Sequence, residues 1–83
     1  MGTYFLHQIK HTNGTWDKGI VVKTGGSAEE NYEAALQGYH AYLGAYAYGH
    51  DENTDFVSAM ITDKTGTVLM AETWNIPQPE PNA

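Results

Sequence analysis

Eighty-three residues make one domain with one modest core, since a chain this short buries only about 60% of its unfolded surface. Four Lys, no Arg and ten Asp plus Glu give a net charge of −6, and the scattered Lys offer no phosphate-binding cluster, which argues against direct nucleic-acid binding. There is no Cys and no apolar run long enough to cross a membrane, so no membrane association and a reducing, cytoplasmic location are expected.

Residues 3–11 and 15–24 read as two strands around Asn13-Gly14, a dipeptide that favours a two-residue type I′ turn because both residues tolerate positive φ. That turn sets Thr12 opposite Thr15 and brings Lys10 opposite Asp17, an opposite-charge pair that agrees with the register. One face of this hairpin then carries Phe5, His7, Ile9 and His11 with Trp16, Ile20 and Val22, and is expected to face the core. The other carries Tyr4, Leu6, Gln8 and Lys10 with Asp17, Gly19, Val21 and Lys23.

After Thr24-Gly25-Gly26, Ser27-Ala28-Glu29-Glu30 has the spacing of a capping box. It opens a helix expected to run to Gly49. Tyr32, Leu36, Tyr39, Leu43 and Tyr46 share one helical face and predict the core stripe. A line of small residues, Ala34, Gly38, Ala41 and Ala45, is expected on the helix back. Gly38 and Gly44 each cost about 1 kcal/mol relative to Ala in a helix, and close approach of another backbone would account for Gly38.

Residues 55–62 and 67–75 form a second hairpin around Asp63-Lys64-Thr65-Gly66, with Gly66 expected in the left-handed region. With Asp63 opposite Thr67, one face carries Val57, Ala59, Ile61, Leu69, Ala71 and Thr73. The opposite face carries Phe56, Met60, Val68, Met70 and Trp74 among polar residues. Pro77, Pro79 and Pro81 mark residues 77–83 as a flexible tail after a domain spanning 3–76. The expected fold is α+β: a two-layer ββαββ arrangement, with a four-stranded antiparallel sheet and one long helix packed on one face.

Chemistry-bearing patterns are sparse. His7 and His11 share a strand face, but four residues of strand separate them by roughly 13 Å, too far for one ion. Asp51-Glu52-Asn53-Thr54-Asp55 opens like a calcium loop, yet Phe56 stands where Gly must turn and Thr62 where a bidentate Glu should close. No nucleophile with a base, no phosphate loop and no carboxylate pair stands out, so no enzyme, metal or cofactor is expected. The Tyr-rich helix lacks the basic surroundings of a base-stacking platform.

The expectation is a non-enzymatic protein-interaction module that forms a homodimer or binds a protein partner. Two surfaces are candidates. The outer sheet face is expected to hold Tyr4, Leu6, Val21, Phe56, Met60, Val68, Met70 and Trp74, a set rich in the apolar, Met and aromatic residues that interfaces use. The helix back offers Ala34, Gly38, Ala41 and Ala45. An alternative is an acidic inhibitor, or nucleic-acid mimic, that binds a basic enzyme surface with Glu29, Glu30, Glu33, Asp51, Glu52 and Asp55 clustered together. A third is a small-molecule pocket between helix and sheet lined by His7, Tyr39 and Tyr46.

Overall fold

A computed structural model describes residues 2–47 and 53–76. The expected helix end at Gly49, part of the calcium-loop-like run and the Pro-containing tail lie outside the described residues.

The first hairpin follows its turn. Asn13 has φ 52° and Gly14 φ 78°, the positive pair that a type I′ turn requires. Strand β1 (Tyr4–Thr12) therefore pairs with β2 (Thr15–Lys23) in unbroken register, from Thr12 opposite Thr15, through Lys10 opposite Asp17, to Tyr4 opposite Lys23. Helix α1 (Ala28–Tyr46) begins at the Ser27 capping box. The Glu30 amide donates to Ser27 Oγ at 3.1 Å, and the Ser27 amide donates to Glu30 Oε1 at 2.9 Å. The helix closes on Ala47, whose amide donates to the Leu43 carbonyl.

Strands β3 (Thr54–Asp63) and β4 (Val68–Asn75) form the second hairpin. Gly66 takes φ 86° as expected, and Asp63 Oδ1 accepts from the Thr65 amide and hydroxyl and from the Thr67 amide. The register begins as the turn predicts, with Thr62 opposite Val68, and then shifts: Ile61 lies opposite Met70 and Val57 opposite Trp74. That bulge absorbs one residue of β4 and turns the rest of the strand over relative to the simple count.

Because β1 pairs with both β2 and β3, the antiparallel sheet has the order β2-β1-β3-β4. The helix crosses the two central strands and reaches β2 weakly. Its buried residues Ala35, Tyr39 and Leu43 form one core cluster with Leu6, Val57, Ala59 and Ile61. Tyr32, Leu36 and Tyr46 flank this core, so the expected stripe is the packed face. The α+β, ββαββ architecture is the one expected.

The choice of sheet face is not. The hairpin face expected inside, with Phe5, His7, Ile9 and His11, is the open one. The helix instead covers Tyr4, Leu6, Gln8 and Lys10. The physical reason lies in β3: Val57, Ala59 and Ile61 are aliphatic and of modest size, so a helix can approach them closely.

Candidate functional site

With one face of the sheet closed by α1, the other presents Phe5, His7, Ile9 and His11 from β1 and Trp16, Lys18, Ile20 and Val22 from β2. Phe56, Ser58, Met60 and Thr62 of β3 and Val68, Ala71 and Thr73 of β4 complete it. Its apolar members are widely accessible: Ile20 is 59% exposed, Trp16 55%, Val68 53% and Val22 50%.

At one end the rings interlock. Trp16 lies opposite His11 in the β1–β2 ladder with ring centroids 4.7 Å apart. It also meets Phe56 edge-on at 5.3 Å. His11 Nδ1 donates to Asp55 Oδ1 at 2.6 Å, which fixes the imidazole against the indole. Beside this cluster, Lys18 holds its ammonium 6.0 Å from the Trp16 ring centre. His7 Nε2 is hydrogen-bonded to the Thr62 hydroxyl at 2.9 Å. His7, Ile9, Lys18, Gly19 and Ile20 line a shallow apolar depression of about 320 Å³ toward the β2 edge of the face.

The expected outer-face set divides between the two sides. Phe56, Met60 and Val68 are on the open face. Tyr4, Leu6, Val21, Met70 and Trp74 are on the side of the helix: Leu6 is buried in the core, Tyr4 packs on Tyr32 at 5.2 Å, and Met70 borders the core. Val21 and Trp74 lie beyond the reach of the helix at the two flanks and are partly exposed. The helix face chosen by β1 displaces the first hairpin's residues, and the β3–β4 bulge displaces Met70 and Trp74.

The helix back also changes. Ala34, Ala41 and Ala45 run along the flank away from the core, but Gly38 is turned toward the sheet, where a Cβ would meet Leu6 Cδ2 at 2.7 Å. Its close neighbour is an internal side chain rather than another chain's backbone. The three-residue pocket does not form either, because Tyr39 is in the core and His7 is on the opposite side of the sheet.

The acidic residues are divided too. Glu29, Glu30 and Glu33 belong to the first turns of α1, near the start of β1, where Asn31 Nδ2 donates to the Gly2 carbonyl. Asp55 is at the other end of β1, beside His11. A strand of this length separates the two sites by roughly 25 Å. Asp51 and Glu52 lie outside the described residues. Among those described, no three His, Asp or Glu side chains gather as metal ligands would.

Two features had little signal in the sequence. The ring cluster joins His11 to Phe56 across the β1–β3 pairing, which depends on strand order. Asn31 is 5% exposed, and its amide donates to the Gly2 and Gly26 carbonyls at 2.7 and 3.1 Å while its Oδ1 accepts from the Gly26 amide at 3.1 Å. It ties the helix start to the start of β1, from a position that reads simply as polar.

Along the β2 edge, Gln8, Lys10, Asp17, Gly19 and Tyr42 on the helix side, with Lys18, line a groove of about 260 Å³. Lys10 does not bond Asp17 there. Its ammonium sits over the Tyr46 ring, 3.9 Å from the centre. Burial, then the neighbouring Tyr46 and Asp17, push the Tyr42 hydroxyl up to about 12. The chain matches no family model, no curated protein and no solved structure. No described helix is long and apolar enough to cross a membrane.

Proposed function

We propose that this protein is a non-enzymatic interaction module that binds a second copy of itself through the open face of its sheet. The observation that carries this reading is the exposure of Trp16, Ile20, Val22 and Val68 on the sheet face opposite the one the helix covers, a face that also holds the half-buried Phe5, Ile9, Phe56 and Met60. Four strands of about nine residues give a footprint on the order of 550 Å², at ~3.3 Å per residue and ~4.8 Å per strand. Two such faces bury about 1,100 Å², above the ~1,000 Å² that a specific interface needs. A second copy also supplies what a small core lacks. A cytoplasmic location belongs to this reading and rests on the absence of Cys. The acidic-inhibitor reading has less support, because the described carboxylates are divided between two ends of the molecule.

Sedimentation equilibrium tests the proposal. The wild-type chain is expected to associate at tens of micromolar, and Met60→Glu, which places a charge on the open face, is expected to weaken that association while keeping its helical circular dichroism. A wild-type chain that stays monomeric at several hundred micromolar overturns the reading, as does a folded Met60→Glu variant that associates as well as the parent.

A further inference from the structure

The two edges of the sheet are unequal. On the β4 edge the ladder is interrupted by the bulge between Ile61 and Thr62, the kind of distortion that keeps an edge from pairing further. The β2 edge runs from Thr15 to Lys23 with no bulge and no Pro, and all but its last residue are exposed. Among the described residues β1 is its only strand neighbour.

The turn determines which backbone groups this edge offers. A two-residue hairpin makes its flanking pair, here Thr12 and Thr15, a hydrogen-bonded pair, and hydrogen-bonded and open pairs then alternate along the ladder. Thr15, Asp17, Gly19, Val21 and Lys23 thus turn their amides and carbonyls toward β1. Trp16, Lys18, Ile20 and Val22 turn theirs outward.

We propose that β2 pairs antiparallel with β2 of a second copy, about a two-fold axis through Ile20, and so joins two sheets edge to edge. Charge selects this register. With the axis at Ile20, the two Ile20 residues exchange outward hydrogen bonds, Lys18 faces Val22 of the second copy, and Asp17 faces Lys23 of the second copy twice over. An axis at Lys18 opposes that ammonium to itself, and opposed like charges are destabilising. Axes at Gly19 or Val21 leave Asp17 and Lys23 facing uncharged residues. An axis at Val22 carries Asp17 past the end of the partner strand. The Ile20 register also lays the most exposed apolar side chain, at 59%, against its own copy.

This contact borders the open-face contact at Ile20 and Val22 but differs from it in its charged pair, because Asp17 and Lys23 project on the helix side of the sheet. Together the two isologous contacts would assemble four copies with closed symmetry. The chain contains no Cys, so introduced thiols report without background. In the proposed register, position 17 of one copy and position 23 of the other form an open pair with Cα atoms ~4.5 Å apart, within disulfide range. Positions 17 and 17, or 23 and 23, are roughly 20 Å apart. An oxidised mixture of Asp17→Cys and Lys23→Cys chains is expected to give the mixed disulfide dimer at least tenfold faster than either variant alone gives its own dimer. One Asp17–Lys23 pair survives in that mixed dimer. Met60→Glu in both chains is expected to leave the rate unchanged, which distinguishes the edge contact from the open-face contact. Cross-linking of the mixture no faster than of the single variants overturns the proposal, and so does loss of the mixed dimer on Met60→Glu.

Discussion

Replacing Gly38 by Ala sets two effects of opposite sign against each other. Ala is favoured over Gly in a helix interior by about 1 kcal/mol. The new Cβ, however, would sit 2.7 Å from Leu6 Cδ2, about 1 Å inside the optimal separation of two carbons. Leu6 is 1% exposed and belongs to the same buried cluster as Val57, Ala59 and Ile61. It cannot swing away without displacing them, and such overpacking costs about 1–3 kcal/mol. The net effect of Gly38→Ala is therefore between neutral and about 2 kcal/mol destabilising. Gly44 provides the control, because a Cβ there has nothing within 4 Å. Gly44→Ala is near the last helical turn and should stabilise by about 0.5–1 kcal/mol. The difference between the two variants, about 1–3 kcal/mol, isolates the Leu6 contact and corresponds to melting temperatures roughly 5–20 °C apart in a domain of this size. Thermal and urea unfolding followed by circular dichroism measures it, at one fixed chain concentration because self-association moves the midpoint. Equal stabilisation by both substitutions would refute the reasoning and show that Leu6 yields freely.

Asn31→Ala removes three hydrogen bonds from a buried site and leaves the Gly26 amide and the Gly2 and Gly26 carbonyls without their partner. A loss of about 2–4 kcal/mol is expected in urea unfolding, and a loss under 0.5 kcal/mol would show that water replaces the side chain. Glu30 is held below the usual carboxylate range by the hydrogen bond from the Ser27 amide and then by the Ser27 hydroxyl. Asp63 is lowered chiefly by the Thr65 hydroxyl, with the turn amides adding to it. Lowered folded values mean that both groups contribute stability above their unfolded values and lose it as pH falls through the folded ones. Urea midpoints below pH 5 should thus decline less steeply in Glu30→Gln and Asp63→Asn than in the parent, and unchanged slopes would count against these bonds. Tyr42 has the opposite sign: its raised value, about 12 against 10, favours the fold below pH 10 and is lost as pH rises from there. Ultraviolet titration should show one late tyrosine that Tyr42→Phe removes; an unchanged late step would assign it to another ring.

The register of the first hairpin was legible to the residue, because Asn13-Gly14 admits one tight turn and a tight turn admits one register. The Ser27 capping box and the Tyr39–Leu43 stripe were legible for the same reason, as each depends on residues within one or two turns. What the local pattern leaves open is the face to which β1 commits. Phe5 and Ile9 on one side and Leu6 on the other are comparable as apolar signals. The decision rests with β3, thirty or more residues away, whose Val57, Ala59 and Ile61 let the helix settle closely over Leu6. Gly38 belongs to that same decision: read along the helix it joins Ala34 and Ala41, but against the sheet it is the gap that admits Leu6. The β4 faces were misread for a different reason. A bulge costs one residue of register without leaving a Gly or Pro to mark it, and every side chain beyond it changes sides.

Strand order explains why the surfaces open to a partner concentrate on β2. A helix that crosses two central strands must choose them from β1 and β3, since these carry Leu6, Val57, Ala59 and Ile61. The outer strands are then left to protect themselves. At the β4 edge the bulge near the start of the strand breaks the ladder. Strand β2 has no such device: its ladder is regular, and its tight turn leaves the even-numbered backbone groups facing outward. The same alternation places Trp16, Ile20 and Val22 on the open face and Asp17 and Lys23 on the other. One strand thus offers three kinds of contact at once: apolar side chains on one side, a complementary pair of charges on the other, and outward-facing backbone hydrogen-bonding groups between them. Lys18, on the open side, is the residue that restricts this surface, because it forbids the register centred on itself. An edge that excludes one register and rewards another through its charges is poorly suited to indiscriminate aggregation and well suited to a defined partner strand.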